Sequence, residues 1–210
     1  MPKDKVFDEN LEDYEEWFVA NEWVYLSELK ALSKVVPKAG RGLEIGIGSG
    51  LFAKPLGIGE GIDPSARMRE KARERGLRVV EGVAEDLPYP DQSWDFALLV
   101  TTICFVDDIF KTFSEAYRVL KPGGQVIVGL VDKNSLVGKL YLKHQQESVF
   151  YRDAVFFGTE EVYKLLQNAG FKVVETWQTI YGRLNEVYDV QEVKPGYGEG
   201  SFVVICAQKE

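Results

Sequence analysis

Residues 41–53, RGLEIGIGSGLFA, set a short apolar strand directly before a glycine-rich turn and the start of a helix. Gly46, Gly48 and Gly50 give the backbone access to positive φ and let a ligand reach the main chain without meeting a Cβ. Glu44 lies near the carboxyl end of that strand, the side on which open α/β sheets bind their ligands. A carboxylate there repels a pyrophosphate and attracts a cation. Gly48, Gly50 and Ala53 also satisfy the dinucleotide pattern G-x-G-x-x-A, which alone is a weak signal. Against it, the next acidic strand end, Asp63, arrives sooner than the roughly 20-residue interval of that fingerprint.

Outward from this turn, strands and helices alternate. Residues 59–63, GEGID, read as a second strand, and Ser65 caps a helix over 66–75 that stops at Gly76. Third and fourth strands follow at 77–81 and 95–100, the fourth apolar enough to be buried on both faces. Asp108 caps a helix over 109–120, which Pro122, Gly123 and Gly124 end before a fifth strand at 125–131. A helix capped by Thr159 leads to strands at 171–180 and 202–208. Ahead of the core, residues 10–36 read as two helices, the second capped by Asn21 with Tyr25, Leu29, Leu32 and Val36 on one face.

The stretch E-x-G-x-G-x-G at 44–50 resembles the first motif of the class I S-adenosylmethionine-dependent methyltransferases. Residues 82–95, GVAEDLPYPDQSWD, are similar nearly position for position to that family's block G-D-A-E-x-L-P-F-P-D-x-S-F-D. RVLKPGG at 118–124 and the A-G-F turn at 169–171 match as well. YEEWF at 14–18 resembles the Y-D-x-W-F stretch of the ubiquinone/menaquinone type (methyltransferase domain 11), where it forms part of a lid. The resemblance spans residues 42–130 and continues more weakly to the end.

It implies an α/β, Rossmann-like sheet of seven strands in the order 3-2-1-4-5-7-6, the last antiparallel, with helices on both faces. In one domain, residues 1–40 would be a helical lid, 41–131 the cofactor half, 132–157 a substrate-side insertion, and 158–210 a helix and hairpin. The implied reaction moves a methyl group from S-adenosylmethionine, leaving S-adenosylhomocysteine, to an O, N or C nucleophile of a small molecule. By family position, Glu44, Gly46, Gly48 and Gly50 form the cofactor turn, and Asp63 accepts the ribose hydroxyls. The backbone at Ala84 meets adenine, with Glu85 taking its amine because Val83 stands where the family commonly has Asp. Val100 and Thr101 reach the methionine portion by their backbone, and Tyr14 its carboxylate.

Plainer readings stand beside these. Asp63 also suits a helix cap, Glu85 an ordinary surface, and Tyr14 with Trp17 an aromatic core stripe. An NAD-dependent oxidoreductase is the alternative enzyme class. A non-catalytic S-adenosylmethionine-binding domain is a third reading, since Cys104 and Phe105 stand where many relatives carry histidine. The sole histidine, His144, is either a general base or structural. The motif N/D-P-P-Y/F of amide and base-nitrogen methylation is absent, which favours a small-molecule substrate.

Composition narrows the rest. A net charge of −8 disfavours nucleic acid, whose binding rests on Lys and Arg. Cys104 and Cys206 form no C-x-x-C pair, so neither disulfide nor metal is expected. The longest apolar runs, 96–100 and 126–131, are strand-sized and too short to span a membrane. Lys3, Asp4 and Lys5 lead into an acidic stretch unlike a secretory signal, so a cytoplasmic protein is expected, as monomer or homodimer.

Overall fold

The computed structural model describes residues 5–210; the reading made on Lys3 and Asp4 lies outside the described residues. Eight strands form one sheet: β1 (Gly42–Ile45), β2 (Glu60–Asp63), β3 (Arg78–Glu81), β4 (Trp94–Val100), β5 (Leu120–Val131), β6 (Phe171–Thr179), β7 (Lys194–Pro195) and β8 (Phe202–Lys209). Their order is β3-β2-β1-β4-β5-β8-β6-β7. β1 to β5 pair in parallel, and β8 lies antiparallel between β5 and β6. The seven-strand order of the sequence reading is thus present, and an eighth strand extends it. β7 adds two residues to the outer edge of β6, where a proline needs no ladder donor on its solvent side.

β4 shows why its sequence is apolar almost throughout. Phe96, Leu98 and Val100 enter the core on one face of the sheet, with Phe52, Ile127 and Val204. Ala97 and Leu99 enter the other, with Phe113, Val126 and Ile205. Successive strand residues face opposite sides, so a sheet covered twice asks for apolar residues at both parities. The fifth strand begins earlier than its apolar run. Leu120 already pairs with Trp94, and the register jumps so that Gln125 faces Phe96. Residues 121–124 therefore bulge out of β5, with Gly123 at φ 76° absorbing the bend.

Helices α1 (Lys5–Glu9), α2 (Leu11–Ala20) and α3 (Glu22–Leu32) precede the sheet, three where two were read. The Asn10 and Asn21 amides donate back to the carbonyls of Val6 and Trp17, at 2.8 and 2.9 Å. Each asparagine therefore closes the preceding helix, and neither side chain caps the next. The buried face of α3 is Val24, Ser27, Glu28, Ala31 and Leu32, displaced from the one read through Tyr25 and Leu29. α4 (Ala53–Leu56) follows the glycine turn. Ser65 and Asp108 cap α5 (Ala66–Glu74) and α6 (Ile109–Val119) by accepting from Met68 and Lys111. α7 (Leu136–Lys143) lies in the insertion. The N-cap of α8 (Thr159–Asn168) is Gly158, one residue before the cap read at Thr159: Gly158 donates its N–H to Glu161, and Thr159 turns to Asp132.

Candidate cofactor and substrate site

A cavity of about 430 Å³ opens beyond the carboxyl ends of β1, β2 and β4, the side on which open parallel sheets bind ligands. Gly46, Gly48, Asp63, Ala84, Glu85, Val100, Thr101 and Tyr14 all line it. Asp63 fixes the turn: its Oδ2 accepts from the Gly48 N–H at 2.8 Å and its Oδ1 from the Ser65 N–H at 2.9 Å. Burial nevertheless pushes its carboxyl up to about 6, the two backbone donors only partly offsetting desolvation. Gly48 lies at φ 54°, and a Cβ there would stand 3.3 Å from the Tyr14 hydroxyl. The bare backbone lets α2 come down over the turn.

Glu85 holds the neighbouring loop, its Oε1 accepting from the N–H groups of Asp107 and Asp108 at 2.6 and 3.2 Å. Thr101, at the end of β4, has φ 50°, a conformation that costs a β-branched residue of order 1–3 kcal/mol and is typical of functional sites.

Three residues singled out in the sequence do not reach the cavity wall. Glu44 is buried beneath the turn, accepting from the Ala53 N–H; desolvation holds its carboxyl well above the usual range. Its second oxygen has no partner among the described residues. Gly50 serves packing, since a Cβ there would stand 2.3 Å from the Leu77 side chain. His144 follows α7 on the surface, half exposed, with Nδ1 3.1 Å from Glu147.

The amino-terminal helices and the insertion roof the cavity with aromatic rings. Phe7 meets Phe105 edge-on at 5.0 Å and stacks near Phe150 at 5.6 Å. Tyr14 contacts Phe18 at 5.1 Å, and Tyr141 stacks on Tyr151 at 4.9 Å. Glu28 of α3 is part of the same wall. It was missed in the sequence, although a signal was there: Glu28 breaks the apolar spacing Val24, Ala31, Leu32 of a helix face that is otherwise core.

The chain is similar over 98% of its length to a Thermotoga maritima protein described as a SAM-dependent methyltransferase and possible histamine N-methyltransferase. The two share 50% identity and a TM-score of 0.96, with 99% of that chain covered. The chain belongs to the S-adenosylmethionine-dependent methyltransferases. Residues 43–128 match the family model "Methyltransferase domain". An uncharacterized Methanocaldococcus jannaschii protein is 47% identical over 97% of this chain and 98% of its own. A Geobacillus demethylmenaquinone methyltransferase is 27% identical over 61% of this chain and 66% of its own.

The site of this methyltransferase suits its cofactor, S-adenosylmethionine, better than a dinucleotide. The cofactor carries a sulfonium and an ammonium and no phosphate. Among the described residues no lysine or arginine lines the cavity, whereas Glu28, Asp63 and Glu85 do. The N–H of Gly48, which a pyrophosphate would require, is already given to Asp63.

Proposed function

We propose that this methyltransferase acts on a small molecule with an O, N or C nucleophile, held in the same cavity as the cofactor. The observation that carries this reading is the roof: α1, α2 and residues 132–157 cover the cavity with aromatic rings. A polymer would need a long open groove, whereas a largely apolar, partly roofed concavity of a few hundred Å³ is the ordinary form of a small-molecule pocket. In this reading Asp63 accepts the ribose hydroxyls with the lone pairs that Gly48 and Ser65 leave free. Ala84 and Glu85 face the adenine, Val100 and Thr101 the methionine portion, and Tyr14 its carboxylate. Glu44 and Gly50 act from below by fixing the turn, and His144 takes no part.

When bound, S-adenosylmethionine supplies an electrophilic methyl carbon attached to a positively charged sulfur. The protein's contribution is to hold a nucleophile in line with that carbon and to exclude water, an effect of order 7–11 kcal/mol where alignment is good. The test is methyl incorporation from labelled S-adenosylmethionine into small amines, phenols and hydroquinones, with transfer RNA and a mixed protein fraction as macromolecular acceptors. A small molecule is expected to be methylated. Labelling confined to RNA or protein would refute the reading.

A further inference from the structure

Glu28 lines the cavity and is only 6% exposed. Among the described residues no hydrogen bond or ion pair reaches its carboxyl, and no lysine, arginine or histidine lines the cavity. An ionised carboxylate in such a place is costly unless a cation joins it. The packing of α3 gives no reason for it, since Val24, Ala31 and Leu32 on the same face are plain core.

Glu28 stands near the insertion: its charge acts on Tyr141 and Tyr151 there and, after Glu44, Asp63 and Glu15, on Tyr14. Trp17, Phe18, Tyr141 and Tyr151 line the cavity with it. Aromatic faces attract cations, the more so when both are desolvated.

We propose that Glu28 selects a small amine as substrate, pairing with its ammonium while its apolar or aromatic body lies among these rings, and accepts a proton from it. This deepens the small-molecule reading and rests on it. The step balances as R–NH3⁺ and Glu28 carboxylate giving R–NH2 and Glu28 carboxylic acid: one N–H bond breaks, one O–H bond forms, and the nitrogen keeps its electron pair as the nucleophile. A protonated amine has no such pair, so an N-methylating site needs an acceptor of this kind.

Burial pushes Glu28 up to about 8, so in the ligand-free protein it holds a proton at pH 7. The titratable groups that face it are Tyr14 from α2, Tyr25 on α3, Tyr141 from α7 and Tyr151 beyond it, all raised above the phenol range by burial. Cys206 of β8, in the core beside α3, is pushed up to about 12. None of these changes charge near pH 7. An ammonium and a protonated Glu28 carry one proton more than their bound pair, whichever atom holds the shared one. Amine binding therefore releases about one proton.

The experiment is calorimetry on protein saturated with S-adenosylhomocysteine at pH 7, in two buffers of different ionisation enthalpy. The probes are 2-phenylethylamine, 2-phenylethanol and 4-ethylphenol. The amine is expected to bind at least about tenfold more tightly than the alcohol, as a buried charge-assisted pair requires, with release of about one proton. Glu28→Gln should remove both the preference and the proton release, and leave S-adenosylhomocysteine affinity within about threefold. The wild-type proton count stands without the variant, should Glu28→Gln fold poorly. Amine binding without proton release, or a preference that survives Glu28→Gln, overturns the proposal. So does a large loss of S-adenosylhomocysteine affinity in the variant, which would assign Glu28 to the cofactor. Binding of the alcohol and phenol but not the amine overturns it and leaves the small-molecule reading intact; failure of every probe up to millimolar concentration overturns both.

Discussion

Asp63 serves the turn and, in the proposed function, the ligand. Gly48 and Ser65 occupy one lone pair on each of its oxygens, so the ligand can use only the remaining pair on each. Burial raises the carboxyl from 3.8 to about 6 in the ligand-free protein, and the ribose hydroxyls donate only to the ionised form. S-adenosylhomocysteine affinity should therefore fall by roughly tenfold between pH 7.5 and pH 5, as the ionised fraction falls. Stability moves the opposite way. A carboxyl raised in the folded state binds more protons there than when unfolded, so its stabilisation is full below about 4 and is lost as pH rises through about 6. Calorimetry across this range checks the binding, and affinity independent of pH would remove Asp63 from the ribose. Asp63→Ala should weaken binding at least about tenfold, and leave two backbone donors short at a cost of about 1–3 kcal/mol each.

Helices α1 and α2 are attached to the core by a row of acidic residues, Asp8, Glu12 and Glu15, with Glu12 pairing to Arg67. Asp8 accepts from the Ser65 hydroxyl at 2.6 Å and the Arg67 N–H at 3.0 Å, at the start of α5. Glu15 of α2 accepts from Ser49 in the glycine turn and pairs with Arg75, both partners about a quarter exposed. Glu15 thus ties α2 to the glycine turn, where the proposed function places the cofactor. Such a half-buried pair contributes little to global stability, on the order of 1 kcal/mol, but its loss frees the lid locally. Glu15→Ala is expected to speed S-adenosylhomocysteine release by about three- to tenfold, with a thermal midpoint lowered by only a few degrees. Stopped-flow dissociation decides it, and an unchanged rate would mean that α2 does not gate the site. Sequence reading reached these helices only in part. Their amphipathic spacing and the break at Asn21 were plain, but α1 went unread and so did the direction of the Asn21 amide, which turns back to Trp17 rather than forward. Glu28 was overlooked because a carboxylate on a helix ordinarily marks the solvated face. β7 carries no periodicity at all, being a pairing of two residues created by the path of a loop.

At the scale of the whole molecule, the legible and illegible parts divide along a physical boundary. The strands and the glycine turn were legible because β1, β4 and β5 are buried on both sides, and such strands show their apolar runs and glycine stops locally; their order in the sheet came from the family resemblance. The roof was hard to read because its contacts are aromatic rings meeting from distant segments: Phe7 with Phe105 and Phe150, or Phe105 with Tyr151. The same boundary should appear in dynamics. From Phe96 and Gln125 onward β4, β5 and β8 are joined by unbroken ladders under two core layers, so their amides there should open only with global unfolding. α1, α2 and residues 144–153 rest on a cavity of about 430 Å³ rather than on a packed core layer, so their amides should exchange far faster in the ligand-free protein. In the proposed function S-adenosylhomocysteine is a common partner of Tyr14 and the glycine turn, and ligation of the closed state alone stabilises it by RT ln(1 + [L]/Kd), about 2.7 kcal/mol at a hundredfold excess over Kd. Hydrogen exchange followed by mass spectrometry should then show protection of α2 rising by up to about a hundredfold on adding S-adenosylhomocysteine, while β4 and β5, already slow, change least. Equal protection of roof and sheet in the free protein would mean that the roof is fixed.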